Sequence, residues 1–317
     1  MLTALILVFV LAYLAIALEH PLKINKSASA LIGAGLLWTL YSLSGIEPHQ
    51  LSEQLGESLT GTAQIVFFLI GAMTIVEVVD AHNGFEVITA RIKTTRLSRL
   101  MWMVGFTTFF LSSILDNLTT TIVMVSLMKK LLDQREDRLF FAGIIIIAAN
   151  AGGAWTPIGD VTTTMLWIGG QITTVEIMKG LFLPSLANLL LPLAVTARLL
   201  GSRPVLAPQR SDLHLLPHTT AFERNLMFVL GLGILIAVPA FKTVTHLPPF
   251  MGILFGLGLL WLVGDLVHRH KEDEHKIHFT LVHALSKIDM GSITFFIGIL
   301  LSVATLEHTH ILSALAQ

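Results

Sequence analysis

Apolar stretches of about 18 to 20 residues recur along the whole chain. As a helix, each stretch is long enough to cross the hydrocarbon core of a membrane. The stretches do not alternate between apolar and polar residues, as the strands of a membrane β-barrel do. The chain has 317 residues, of which 54% are hydrophobic and only 13% are charged. The pattern predicts an all-α polytopic membrane protein with spans over 1–18, 28–45, 62–79, 139–170, 179–199, 222–241, 248–267 and 290–307.

The basic residues divide the linkers into two classes. Linkers such as 19–27, 80–99 and 129–138 carry Lys or Arg, whereas linker 46–61 carries three glutamates and no basic residue. Basic loops usually face the cytoplasm, and by this rule only Lys179 and Lys242 fall in loops on the other side. No basic residue precedes the first apolar run, so we interpret this run as a retained helix rather than a signal peptide. The N-terminus is therefore predicted to lie outside.

The apolar stretch 100–132 has basic residues at both ends, so both ends are predicted to be cytoplasmic. Each half has about 16 residues, which is short for a full span. Asp116 and Asn117 lie at its midpoint. This arrangement favours a re-entrant helical hairpin with its tip at these two residues. Two short full spans would also satisfy the flanking charges.

The apolar stretch 139–170 is interrupted. Gly152 and Gly153 are followed by Pro157 and Gly159, and these residue types end or open helices. Asp160 comes next and is followed by a threonine-rich segment. We predict a broken transmembrane helix here, because the break would free backbone carbonyls beside a carboxylate.

Residues 63–74, AQIVFFLIGAMT, resemble residues 291–302, GSITFFIGILLS. By the predicted topology the two segments run in opposite directions, as in the inverted repeats of many secondary transporters. The offset of 228 puts the counterpart of Asp116 at position 344, so the second repeat is expected to be incomplete. The predicted division is N-terminal scaffold helices at 1–60, a first repeat at 61–200, scaffold helices with a cytoplasmic loop at 201–289, and the start of a second repeat at 290–317.

Carboxylates in the middle of a membrane are costly and usually line an ion or proton pathway. The two interruptions each carry an Asp surrounded by side-chain oxygens, which are the ligands that hard cations prefer. A cation and a proton would compete for such carboxylates. The predicted cation- and proton-binding residues are Asp116, Asn117, Thr119, Thr120, Asn150, Thr156, Asp160 and Thr162, with Asp116 and Asp160 as Na⁺ ligands. In the alternative interpretation, the two Asp residues only cap helices.

Two other groups of polar residues are more ambiguous. Glu77 lies late in the third span, where it is either part of a proton path or interfacial. A solvated loop is predicted around His268, His270, His275, His278 and His283, with a pH sensor as the alternative. The chain has no cysteine, which excludes disulfides and thiolate metal sites. No cofactor and no nucleic-acid partner are expected; the expected partners are the lipid bilayer and the transported ions.

Two motifs resemble a known family. The segments SSILDNLTTTIVM and AANAGGAWTPIGDVTTTMLW are similar to those of NhaD-type sodium/proton antiporters, in a superfamily that also contains arsenite and di/tricarboxylate carriers. The resemblance covers about residues 60 to 310. It implies a homodimer with scaffold and mobile transport domains in a bacterial plasma (inner) membrane, exchanging Na⁺ or Li⁺ for H⁺. Its functional residues fall on Asp116, Asn117, Thr119, Asp160 and Thr162.

The family also has a second Asp-Asn hairpin in its C-terminal half, and no such hairpin is found in this chain. We therefore expect a member that lacks the C-terminal part. The first alternative function is an arsenite or organic-anion permease of the same superfamily, although the charge of Asp116 would repel an anion.

The second alternative is an intramembrane aspartyl protease, whose two aspartates share a proton. Such proteases carry Gly-x-Gly-Asp at the second Asp, whereas this chain has Pro157 at the first glycine position. The sequence therefore favours a transporter that is not an enzyme.

Overall fold

The computed structural model describes residues 2–89, 94–201, 203–205, 219–269 and 279–315. In these ranges the regular secondary structure is helical, apart from one isolated bridge between Arg96 and Pro204. The prediction of an all-α membrane protein is confirmed. The helices are α1 (Leu2–Ala17), α2 (Glu19–Leu22), α3 (Lys26–Ser42), α4 (Pro48–Ala81), α5 (Glu86–Thr89), α6 (Leu97–Ser112), α7 (Asn117–Leu131), α8 (Arg135–Ala154), α9 (Val161–Ile168), α10 (Thr174–Leu200), α11 (Ala221–Thr245), α12 (Pro249–His268), α13 (Leu281–Lys287), α14 (Met290–His308) and α15 (Ile311–Leu315).

Six helices in the described ranges are long and apolar enough to cross a membrane. They overlap six of the eight predicted spans, although α8 covers only the first part of the span predicted over 139–170. The other two predicted spans correspond to α1 and α3, which have 16 and 17 residues. The six long helices are α4, α8, α10, α11, α12 and α14.

Helix α4 is longer than predicted. It has 34 residues and includes most of the segment 46–61, which the charge pattern predicts to be a linker. Pro48 is its first residue, a position where the missing proline N–H costs nothing. The residues that follow include Gln, Leu and Glu, which are good helix formers. Low hydropathy in this segment therefore did not indicate a loop.

The chain divides into two compact units, 1–70 with 288–317 and 71–287. These units do not test the predicted repeat or its domain boundaries, which stay predictions. In the first unit, α3 packs on both α1 and α14. The indole N–H of Trp38 donates to the carbonyl of Leu301 at 3.0 Å, and the Ser27 hydroxyl donates to the carbonyl of Gly291 at 2.8 Å. Gly298 lets α14 approach the backbone of α3 at Ala30.

In the second unit, α6, α7, α8 and α10 form one packed group, and α11 packs on α12. Gly105 of α6 lies against the Leu193 side chain of α10. The start of α6 is fastened by the segment after α10, because the Leu97 N–H donates to the Arg203 carbonyl at 2.9 Å. The Arg203 guanidinium also pairs with the buried Asp137 of α8 at 2.9 Å. These bonds hold the ends of three helices together.

Candidate functional site

The predicted hairpin is present as two helices, α6 and α7, joined by the turn 113–116. The arms have 16 and 15 residues, or about 24 Å each at 1.5 Å per residue. Each arm is thus shorter than a hydrocarbon core of about 30 Å. Neither arm is among the six span-length helices of the described ranges. The re-entrant placement itself stays a prediction.

Asp116 is the N-cap of α7. One carboxylate oxygen accepts from the Thr119 N–H at 2.8 Å, and the other accepts from the Thr119 hydroxyl at 2.6 Å. Such a cap satisfies a backbone donor that has no partner within the helix. The positive end of the helix dipole also stabilises the carboxylate. Asp116 therefore caps a helix, as in the alternative interpretation, and its carboxylate remains at the hairpin tip.

The predicted break in the next long helix is also present. Helix α8 ends at Ala154, residues 155–160 are not helical, and α9 begins at Val161. Asp160 is the N-cap of α9, and its Oδ1 accepts from the Thr162 N–H at 2.8 Å. The chain thus builds the same local structure twice, an Asp at the first turn of a helix that begins after an interruption.

The side chain of Asn117 joins the two interruptions. Its Nδ2 donates to Asp160 Oδ2 at 2.6 Å and to Asn150 Oδ1 at 3.1 Å. The Asn150 amide in turn donates to the carbonyl of Ile146, one turn earlier in α8. Three predicted site residues from three different segments, Asn117, Asn150 and Asp160, therefore form one hydrogen-bonded group beside the Asp116 cap.

Glycines allow this close approach. A Cβ at Gly152 would lie 2.1 Å from the carbonyl oxygen of Phe109 in α6. A Cβ at Gly159 would lie 2.5 Å from the carbonyl oxygen of Ser112 and 2.8 Å from Cα of Gly153. The Gly152-Gly153 and Gly159 positions therefore allow the end of α8 and the break to lie against the end of α6.

The predicted threonines have different positions. The Thr156 hydroxyl is buried, donates to the Ser113 carbonyl at 2.6 Å and accepts from the Gly159 N–H at 3.1 Å, so it fastens the break to the hairpin turn. Thr162 is exposed and contributes its N–H to the Asp160 cap. The Thr120 hydroxyl is fully buried and has no hydrogen-bond partner within the described part of the chain. Such a group is costly unless something satisfies it.

The arrangement can bind a hard cation. It presents two carboxylates, the amide oxygens of Asn117 and Asn150, and the backbone ends of four helices. Each carboxylate oxygen has a second lone pair beyond the hydrogen bond it accepts. The two helix N-termini, which could otherwise attract an anion, are each occupied by a carboxylate of the chain itself. The local chemistry therefore favours cations over anions.

Glu77 lies on α4, half-buried, and its charge interacts with those of Asp80, Lys287 and Asp116. A cavity of about 130 Å³ lies nearby between the end of α4 and the hairpin arm α7. Its lining includes Asp80 and Ser126. Glu77 is therefore within electrostatic range of the hairpin tip, while its role as a proton path stays a prediction.

One prediction about the histidines is wrong. His268 is buried at the end of α12, where its Nε2 lies 3.4 Å from Nε2 of the equally buried His82. Both rings pack on Phe279. The charged residues that follow His268 suggested a solvated loop, and the sequence gives no local sign of its partner just after α4. His270, His275 and His278 lie outside the described residues.

Comparison with known proteins identifies the family to which the chain belongs. The family model described as "Citrate transporter" (CitMHS) matches residues 13–317. Sodium/proton antiporter 1 of Arabidopsis thaliana is 48% identical over 99% of the chain, which spans 54% of that relative. Sodium/proton antiporter 2 of the same plant is 46% identical over 98% of the chain and 73% of the relative. The Na(+)/H(+) antiporter NhaD of Vibrio cholerae is 30% identical over 96% of the chain and 68% of the relative.

The chain thus spans about half the length of the first of these relatives and about two thirds to three quarters of the others. The names of these relatives are those of antiporters and transporters, so the prediction that the chain is not an enzyme is confirmed. The chain belongs to the citrate transporter (CitMHS) family of integral membrane transporters, as an NhaD-type member.

Proposed function

We propose that the protein is a secondary transporter that exchanges Na⁺ or Li⁺ for H⁺ across the membrane. The observation that carries this proposal is the hydrogen bond from Asn117 to Asp160, which unites the hairpin tip and the broken helix in one carboxylate-rich group. The names of the relatives, sodium/proton antiporters from a plant and from bacteria, agree with these substrates.

The exchange follows from competition at the two carboxylates. When Asp116 and Asp160 are ionised, their oxygens and those of Asn117, Asn150 and the neighbouring threonines bind one cation. When protons occupy the carboxylates, the negative charge that holds the cation is removed. Movement of the hairpin and the broken helix would expose this group to each side in turn.

Glu77 is proposed to pass protons between the aqueous side and Asp116. The interaction between the charges of Glu77 and Asp116 supports this role. We expect Glu77→Gln to slow proton movement while the apparent KM for Na⁺ changes little, because Glu77 is not among the proposed cation ligands. Steady-state exchange rates at several Na⁺ concentrations measure both quantities.

We also propose a homodimer in a bacterial plasma membrane, with the N-terminus outside. The basic linkers support this orientation. The proposal of a dimer rests only on the resemblance of the two sequence motifs to those of NhaD-type antiporters. Light scattering in detergent would measure the mass of the purified protein and so its oligomeric state. A reporter fused to the N-terminus would show on which side of the membrane the N-terminus lies.

The main test is a pair of charge-removing variants. Asp116→Asn and Asp160→Asn keep a good N-cap but remove the negative charge. In everted vesicles from cells without other sodium/proton antiporters, the protein expressed from its complete reading frame should dissipate a pH gradient when Na⁺ or Li⁺ is added. Both variants should abolish this response. Asp133→Asn, the same change at an exposed carboxylate between α7 and α8, is the matched control and should keep it.

Retained exchange in both site variants would refute the role of the two carboxylates. An unmodified protein that gives no response to Na⁺ or Li⁺ would refute the antiporter proposal itself.

The second candidate function is an anion permease, because the matching family model is described as a citrate transporter. The carboxylates at the N-termini of α7 and α9 argue against it, since a citrate ion would meet two negative charges there. Uptake of labelled citrate or arsenite that is independent of Na⁺-driven proton movement would favour this function. The antiporter proposal predicts no such uptake.

A further inference from the structure

A lysine far along the chain contacts the half-helix that carries Asp160. Lys242 lies in the last turn of α11, and its Nζ donates to the carbonyl oxygen of Trp167 in α9 at 2.8 Å. The same ammonium lies 4.4 Å from the centroid of the Trp167 ring. This distance is within the range of a cation–π contact. Trp167 is only 2% exposed, so the residue that Lys242 contacts is buried.

The two ends of α9 are therefore both fixed by charged side chains. Helix α9 has eight residues, or about 12 Å of helix. Asp160 caps its N-terminus, where a negative charge is favourable, and Lys242 lies at its C-terminus, where a positive charge is favourable. The helix then ends in a tight turn at Gly170, which has a positive φ of 71°.

A helix this short does not hold its own position. Isolated helices of fewer than about 12 residues are marginal in water, and their stability comes from packing and end contacts. At its N-terminal end α9 bonds to the hairpin through Asp160 and Asn117. At its C-terminal end, the Lys242 ammonium adds a charge-assisted bond to the Trp167 carbonyl. If the C-terminal bond is lost, the helix can tilt or fray, and the carboxylate at the other end moves with it.

We propose that Lys242 is a positioning residue for the cation site: it holds α9 so that Asp160 stays in hydrogen-bonding distance of Asn117. The inference rests on the proposed sodium/proton exchange and adds a residue of α11 to it. Within the described part of the chain Lys242 makes no hydrogen bond to a proposed cation ligand, so it acts through Trp167 and the backbone of α9. Its effect should appear in the apparent KM for Na⁺ more than in the maximal rate, because a displaced ligand weakens cation binding.

The chain offers a matched control. Lys179, in the first turns of α10, belongs to the same predicted side of the membrane, and its side chain is exposed. Lys179→Met removes an equal charge with no bond to α9. Lys242→Met removes the charge and keeps the length of the side chain. Lys242→Arg keeps a cation that can bond to a carbonyl and stack on an indole ring.

The kinetic test compares these variants in everted vesicles. We expect Lys242→Met to raise the apparent KM for Na⁺ about tenfold with less than about a twofold change in maximal rate. Lys242→Arg should return the KM to within about threefold of the unmodified protein, and Lys179→Met should leave it unchanged. An unchanged KM in Lys242→Met, or an equally large increase in Lys179→Met or Lys242→Arg, would overturn the proposal.

Hydrogen–deuterium exchange of the purified protein gives a readout that does not need transport. Amides of residues 161–168 should exchange faster in Lys242→Met than in the unmodified protein or Lys179→Met, and Lys242→Arg should restore protection. Unchanged exchange in Lys242→Met would refute the positioning role. If Lys242→Met cannot be purified, Lys242→Gln, which keeps a neutral donor, takes its place with the same expected direction.

The two proposals fail differently. An unmodified protein without Na⁺-driven proton movement refutes the antiporter function, and the exchange of α9 amides still decides whether Lys242 fixes this helix.

Discussion

Two close contacts in the molecule depend on glycine: that of α3 with α14, and that of the hairpin with the broken helix. The helices continue through the first contact and end at the second. In the first, Gly298 lies against the backbone of Ala30, and both helices continue through the contact. In the second, Gly152 and Gly159 lie against the end of α6, and both α6 and α8 stop there. Close approach of helices therefore does not require an interruption.

The difference lies in which groups satisfy the backbone. In α3 and α14 the backbone is paired within each helix, and side chains such as Trp38 add single bonds across the contact. At the two interruptions, helix ends expose donors and acceptors that need partners in a membrane. Asp116, Thr156 and Asp160 supply them. The interruptions thus bring polar side chains together at the helix ends.

The largest loss of stability should come from adding a side chain at Gly152, where the end of α8 lies against the end of α6. In Gly152→Ala the new Cβ would be 2.1 Å from a backbone oxygen, which cannot move away as a side chain can. We expect a loss of about 3 kcal/mol in the free energy of unfolding. Gly143→Ala, on the same helix with nothing within 4 Å, should lose none. Unfolding temperatures in detergent would measure both, and equal values would contradict the close contact.

The Arg203–Asp137 ion pair should have the next largest effect on the free energy of unfolding. Asp137→Asn leaves the Arg203 guanidinium without its carboxylate partner, and Asp137 is buried. Breaking a fully buried pair costs about 3–5 kcal/mol, but the Arg203 side chain is 47% exposed, so we expect about 2 kcal/mol. Glu136→Gln changes a neighbouring exposed carboxylate and should have no measurable effect. A Glu136→Gln variant as unstable as Asp137→Asn would point to net charge instead of the pair.

A smaller effect is expected from the α3–α14 contact. Trp38→Phe removes the hydrogen bond to the Leu301 carbonyl and leaves most of the ring packing. We expect a loss of about 1 kcal/mol in stability and no change in the apparent KM for Na⁺. A change in KM without a change in unfolding temperature would mean that this contact also shapes the cation site.

The smallest effect is expected at Asp289, the N-cap of α14. The Ser292 hydroxyl that donates to its carboxylate lowers the pKa of Asp289 below its usual value. A lowered pKa contributes stability above the unfolded-state value of about 3.9, and this stability is lost as the pH falls through the lower folded value. The stability difference between the unmodified protein and Asp289→Asn should therefore be a few tenths of a kcal/mol at pH 6 and shrink toward pH 3.

The same variant tests whether the charge of Asp160 matters because of its position. Asp289→Asn and Asp160→Asn make the same change at two N-caps. Transport should persist in the first and stop in the second. If both lost transport, removal of the charge from a distant N-cap would be enough, and the loss in Asp160→Asn would not point to the cation site.

Local sequence patterns predicted the interruptions well. Pro157 and Gly159 marked the second break, because both residue types disfavour helix in any surroundings. Gly152 and Gly153 did not mark it, since α8 continues through both of them to Ala154. An Asp directly before a threonine-rich turn is a frequent helix start, and Asp160 is one. The hairpin tip at Asp116 followed from the charges at both flanks of the apolar stretch.

The partners across the fold were not predictable in this way. Nothing near Asn117 shows that its amide bonds to Asp160, 43 residues later. Nothing near His82 indicates His268, and nothing near Trp167 indicates Lys242. One weak sign existed for Lys242, which is one of only two basic residues predicted on the side opposite the basic linkers. The polar start of α4 was missed because hydropathy records contact with lipid and carries no information on helix formation in water.

The length of α4 sets a condition on how the protein lies in a bilayer. A helix of 34 residues is about 51 Å long, whereas the hydrocarbon core is about 30 Å thick. The whole helix would fit within the hydrocarbon core only if it were tilted by more than about 50° from the bilayer normal. Membrane helices are usually tilted by about 0–40°. Several turns of α4 must therefore stand in the headgroup region or in water. The stretch with Glu53 and Glu57 is suited to this, because a thicker or thinner bilayer would change how much of it emerges without placing those carboxylates among acyl chains.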